Sequence, residues 1–114
     1  MRILQASPAR RAAATVAQVS FSESGDFGAV SSAEQRGIPV FAPRGILYRP
    51  CEGDNLLLLS ADGADVCAGV LCQSQGLAAG ELKLSSSGGA SIWLKNSGDI
   101  VLNGVTITKD GRIL

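Results

Sequence analysis

Four short runs decide how the chain folds: Glu81-Leu82-Lys83-Leu84, Ser91-Ile92-Trp93-Leu94-Lys95, Asp99-Ile100-Val101-Leu102 and Val105-Thr106-Ile107-Thr108. Each places aliphatic side chains two residues apart, the spacing that puts them on one face of a β-strand and their neighbours on the other. Small polar corners separate the runs: Ser86-Ser87-Gly88-Gly89, Asn96-Ser97-Gly98, Asn103-Gly104 and Lys109-Asp110-Gly111. Leu82, Leu84, Ile92, Leu94, Ile100, Leu102, Val105, Ile107 and Ile113 form the predicted apolar stripe. Lys83, Ser91, Lys95, Asn96, Asp99, Thr106 and Thr108 supply the wet face, where Trp93 and Val101 break the rule.

A row of narrow strands with one apolar face has no second layer of its own. In a lone meander that face would be an open patch, and its free strand edges would invite uncontrolled pairing. Three copies wound about one axis would cover the aliphatics and pair the backbone edges between neighbours. The nine aliphatic residues are therefore the expected core of a homotrimer. A plain meander packed on the rest of the chain, with Asn103-Gly104 as a two-residue hairpin turn, is the alternative the pattern leaves open.

Upstream, the reading is also all-β. Ala17, Val19 and Phe21 alternate with polar residues, Ser22 to Asp26 is turn-like, and Gly28-Ala29-Val30 starts a further strand. Ile38 to Phe41 and Gly45 to Arg49 read as short extended runs interrupted by Pro43 and closed by Pro50. Asn55 to Ser60 contains four consecutive leucines, and such a run predicts a strand buried on both faces. Asp62-Gly63 is a hairpin signal, and Val66 to Cys72 is the returning strand, with Gly69 allowing a bend. The expected division is an N-terminal arm (1–14), a small OB-fold-like barrel (15–73), a linker (74–80) and a β-structured tail (81–114). For the arm, a short helix and a loose segment both fit.

Composition narrows the chemistry. Ten basic and ten acidic residues give a formal net charge of zero, without the basic excess of a nucleic-acid binder. The chain contains no histidine, so the commonest general base and metal ligand are missing. Cys51, Cys67 and Cys72 match no zinc spacing and are expected to be buried, reduced thiols of a protein made in a reducing cytosol. The Arg- and Ala-rich start has no continuous apolar run, and no signal peptide is expected. Glu52 with Asp54, and Asp62 with Asp65, are the acid pairs open to general acid–base work. Both lie in turn signals, where Asp and Gly serve the backbone. Ser86 to Gly89 lacks the lysine and helix of a phosphate-binding loop and reads as a corner. No catalytic, cofactor-binding or metal-ligating set is assigned.

The middle segment, Ala42-Pro43-Arg44-Gly45-Ile46-Leu47-Tyr48-Arg49-Pro50-Cys51-Glu52-Gly53-Asp54 running into Asn55 to Leu58, resembles the baseplate assembly protein V family, in its Mu-like branch. Ala64 to Val70, with its polar turn and Gly-containing strand, and the runs from Gly80 to Lys95 continue the likeness, which covers roughly residues 15–114. The resemblance implies a central spike at the tip of a contractile phage tail or related injection particle. It implies OB barrels forming a trimeric collar, and a tail forming an intertwined triple-stranded β-helix that helps pierce the target cell envelope. Baseplate hub or tail-tube proteins would be its partners, with assembly in the bacterial cytoplasm into the particle. Many relatives end in an iron site built on a His-x-His motif, and with no histidine in the chain no such site is expected. The competing expectation is an OB-fold module for single-stranded nucleic acid or a polysaccharide, using Arg36, Arg44, Arg49, Phe41 and Tyr48.

Overall fold

The computed structural model describes residues 14–23, 25–31 and 33–114. The expected N-terminal arm lies outside them, apart from Ala14. The protein is all-β, in two antiparallel sheets, and the chain divides into two compact units, Met1–Cys72 and Gln73–Leu114.

The described residues of the first unit form five strands: β1 (Ala14–Glu23), β2 (Asp26–Val30), β3 (Glu34–Arg36), β4 (Asn55–Ala61) and β5 (Ala64–Val70). Their order in the sheet is β3-β2-β1-β4-β5. A single parallel bridge from Val40 to Cys67 returns the chain leaving β3 to the outer edge of β5. Two backbone bonds make it: Cys67 N to Pro39 O at 2.8 Å and Phe41 N to Cys67 O at 2.9 Å. The sheet therefore curls around one core of Ala17, Val19, Phe27, Ala29, Ile38, Leu56, Leu58 and Cys67. Alternation explains the choice, because β1 contributes Ala17 and Val19 while β4 contributes Leu56 and Leu58.

Two irregularities bend this sheet. The β1–β2 register steps from Val19↔Ala29 to Phe21↔Gly28, which leaves Ser20 bulged. The β4–β5 register steps from Leu57↔Gly69 to Leu58↔Cys67, which leaves Ala68 bulged beside the glycine that the sequence marked for a bend. The Asp62-Gly63 hairpin joins Ala61 to Ala64, with Asp62 at φ 51° and Gly63 at φ 83°. Both central residues in the left-handed region is the turn geometry that matches strand twist.

Several expectations need correcting. Leu56 and Leu58 are buried, but Leu57 and Leu59 are 43 % and 37 % exposed, so the leucine run is not covered on both faces. Ile38 to Phe41 contributes one bridge rather than a strand, and Gly45 to Arg49 is irregular. The third strand is instead the polar Glu34–Arg36, whose hydrogen bonds to β2 need no apolar signal. Cys67 is fully buried, whereas Cys51 and Cys72 are exposed; all three are free thiols.

The second unit is a four-stranded meander, β6 (Leu82–Ser85), β7 (Ser91–Leu94), β8 (Ile100–Leu102) and β9 (Val105–Ile107), in the order β6-β7-β8-β9. A bridge from Ile107 to Ile113 extends it. Residues 86–90, 95–99 and 108–112 form the same tight turn three times. In each, the fourth residue, a glycine, donates its N–H to the first residue's carbonyl, and the first donates to the fifth: Gly89 to Ser86, Gly98 to Lys95 and Gly111 to Thr108. These glycines have φ of 95°, 94° and 87°, a region most side chains avoid. Asn103-Gly104 closes β8 onto β9 as a two-residue hairpin, the feature expected of a single-chain meander. Pairing in the tail thus runs along one chain, and exchange between neighbours has only the outer edges left to use.

Candidate functional site

The register of the tail sorts its side chains completely. Leu82 pairs with Leu94, Leu94 with Ile100, Ile100 with Ile107, and Ile107 with Ile113. Leu84 pairs with Ile92, Ile92 with Leu102, and Leu102 with Val105. All nine residues of the apolar stripe therefore lie on one face, in two columns that run across the strands. With strands about 4.8 Å apart, the longer column extends roughly 20 Å, while its strands are only three or four residues wide. The result is a narrow aliphatic strip that lengthens by one spacing for every added strand.

That strip is open. Leu82 is 54 % exposed, Leu84, Ile92, Leu94 and Val105 are each above 40 %, and Ile113 is 73 % exposed. Covering a half-exposed aliphatic stabilises by about 1 kcal/mol, so the set offers on the order of 10 kcal/mol per chain. Bringing two proteins together costs roughly 4–15 kcal/mol, the same order. The strip's contribution is thus comparable with the cost of association.

The opposite face covers itself. Lys83, Trp93, Val101 and Thr106 form a column there through the pairs Lys83↔Trp93, Trp93↔Val101 and Val101↔Thr106. Lys83 Nζ and Lys95 Nζ lie 5.0 Å and 4.9 Å from the Trp93 ring centroid, so two lysine stems shield the indole while their charges stay in water. Trp93 Nε1 donates to Glu81 Oε1 at 3.2 Å. This is why the two rule-breaking residues are tolerated on the wet side, where Trp93 and Val101 are half-buried.

Glu81 ties the start of the sheet together. Its Oε2 accepts from Asn96 N at 3.0 Å and its Oε1 from Ala78 N at 3.1 Å, while Asn96 Nδ2 donates to Ala79 O at 2.8 Å. These backbone N–H groups at Asn96 and Ala78, then Trp93 and the Lys95 charge, hold the Glu81 carboxyl below its ordinary range. The clasp joins residues 78–81 to the 95–99 turn, so Ala78 and Ala79, in the segment the sequence assigned to a linker, are tied to the tail sheet.

The acid pairs serve turns and neighbouring strands. Asp54 Oδ2 accepts from Cys51 N at 2.8 Å, and Asp54 N donates to Cys51 O, closing the turn that leads into β4. Asp65 Oδ2 accepts from Gln35 Nε2 at 3.0 Å. Among the residues of the competing binding-module reading, Arg36 lies over the Phe21 ring at 4.6 Å and beside Glu34 at 3.6 Å. Tyr48 and Arg49 line an open cleft of about 330 Å³ with Asp26, Phe27, Gly37, Ile38 and Val40, and Phe41 projects into solvent. Burial, and then the neighbouring Cys67 thiol, push the Tyr48 hydroxyl upward. Among the described residues, no group of three or more Cys, Asp or Glu converges as a metal site.

Sequence reasoning missed Leu57, Leu59 and Val16 as surface residues, and it missed Glu81 as a clasp. A scan against protein-family models and a search of curated proteins both find no match for this chain.

Proposed function

We propose that the chain is the central spike of a contractile phage tail or phage-like particle, a homotrimer that helps pierce the target cell envelope. The observation that carries this reading is the strip of nine aliphatic side chains, seven of them exposed, on a sheet only three or four residues wide. Three such strips facing one axis would cover one another and leave Lys83, Lys95, Trp93 and Thr106 outside. The columns run across the strands, so the axis of such an assembly would be a rod's axis. Each chain's meander would supply one side of a prism, an arrangement that keeps the hydrogen bonding of β6 to β9 within each chain. It replaces the fully interwound β-helix with three facing sheets.

In the first unit, the order β3-β2-β1-β4-β5 and the parallel bridge from Val40 to Cys67 support an OB-type barrel, the collar in this reading. The resemblance of residues 42–58 and 64–95 to the baseplate assembly protein V family supports the position at the tail tip, next to hub or tube proteins. The work of the protein would be mechanical, with force concentrated on a thin rod. Gold-labelled antibody against the chain, applied to contractile particles from the producing bacterium, should mark the distal end of the baseplate. Particles that carry the label along the sheath, or lack the chain altogether, would refute the assignment.

A further inference from the structure

The first unit exposes two apolar features that do not cover each other. One is the outer face of β1 and β4, where Val16 lies opposite Leu57 and Ala14 opposite Leu59. Val16 is 65 % exposed. The other is the loop between β3 and β4, where Leu47 is 98 % exposed and Phe41 and Ile46 are also open to solvent. Both ends of that loop are fixed: Phe41 N bonds to Cys67 O, and the buried Pro50 accepts from Ser22 Oγ at 2.7 Å. The Pro43 carbonyl accepts from Ile46 N in a turn centred on Arg44-Gly45, and Leu47 follows directly after it. Wholly exposing a leucine on an anchored loop has a cost and no benefit within the chain.

Charge separates the two features. Residues 37–49 carry Arg44 and Arg49 and no acid. Residues 50–72 carry Glu52, Asp54, Asp62 and Asp65 and no base. Among the described residues the one ion pair is Arg36 with Glu34, so neither Arg44 nor Arg49 pairs with a described acid. Glu52 precedes the β4 face and Asp62 ends it, so the face has acids at both of its limits.

We propose that the Leu47 loop of each copy seats on the β1–β4 face of the next copy, with Arg44 and Arg49 meeting the acids that flank Leu57 and Leu59. A contact between two different surfaces of one chain is head-to-tail, and it closes into a ring when the rotation between copies fits. The inference rests on the trimer reading and gives its collar a defined contact.

Cysteine cross-linking of the full chain tests it, with Cys51 and Cys72 changed to Ser and the buried Cys67 retained. Carrying Leu47→Cys together with Leu57→Cys, the protein should give covalent dimers and trimers on mild oxidation, while either change alone gives none. Adding Arg44→Glu and Arg49→Glu should abolish that ladder, and adding Glu52→Arg and Asp62→Arg should restore it. Absence of the ladder from a sample whose mass is three chains overturns this contact and leaves the trimer standing. Dimers formed by Leu57→Cys alone would also overturn it, because they require a face-to-face contact. A sample whose mass is one chain overturns both readings.

Discussion

Ile92 and Leu102 lie directly opposite each other across β7 and β8, and each still exposes more than a third of its surface, 43 % and 37 %. Cross-strand partners normally shelter one another against a second layer. Here the pair packs side by side and leaves its outer surface uncovered, as do Leu82 with Leu94 and Leu84 with Ile92.

Replacing Leu102 by Asp should therefore dissociate the assembly, because an unpaired carboxylate would be buried at the axis at a cost of several kcal/mol. Thr106→Asp is the matched control: Thr106 lies in the column of Lys83, Trp93 and Val101, on the other face. Light scattering should report one chain's mass for the first variant and the original mass for the second. Equal behaviour of the two would remove the distinction between the faces.

Acid should loosen the tail through Glu81. Its folded pKa is held down chiefly by the N–H of Asn96 and then of Ala78, so its stabilising contribution is present above the unfolded value of about 4.3. That contribution is lost as the pH falls through the lower folded value. Glu81→Gln should lower the thermal midpoint of the tail at pH 7 and flatten its dependence on pH below about 4.3. An unchanged acid limb in the variant would show that the clasp is not the titrating group.

Thiol labelling should separate the three cysteines. Cys51 and Cys72 are exposed and should react with a maleimide at once, whereas Cys67, with 0 % exposure, should react only as the first unit unfolds. Its labelling rate should rise with urea in step with the loss of that unit's structure. Immediate reaction of all three would mean that the core around Leu56 and Leu58 is open.

Gly28 faces the Phe21 ring so closely that an added Cβ would overlap it. Gly28→Ala should swing the ring out from under Arg36 and destabilise the first unit by about 1–3 kcal/mol, the usual cost of overpacking. Chemical denaturation measures it directly. A neutral result would mean that the ring moves freely and that the Arg36 contact contributes nothing.

The tail was legible because its strands announce themselves by parity. Every aliphatic residue of the stripe falls on one face, and the exceptions at Trp93 and Val101 fall on the other, as their positions require. The turns at Asp62-Gly63 and Asn103-Gly104 were legible for a similar reason, since only a few residues accept their backbone angles. What stayed hidden depends on neighbours that are distant in sequence. Glu34–Arg36 is a strand only because β2 offers it a free edge. Leu57 and Leu59 are indistinguishable by residue type from Leu56 and Leu58, and only the curl of the sheet decides which pair faces inward. The Glu81 clasp joins segments fifteen residues apart, at Glu81 and Asn96, with no local signature at either end.

Sedimentation equilibrium of the intact 11.7 kDa chain, over a wide concentration range in neutral buffer, bears most directly on the aliphatic strip. A single species of three chains' mass that persists on dilution is the expected result. A species of one chain's mass at every concentration would contradict the account, because seven exposed aliphatic residues would then have no partner to exclude water from them.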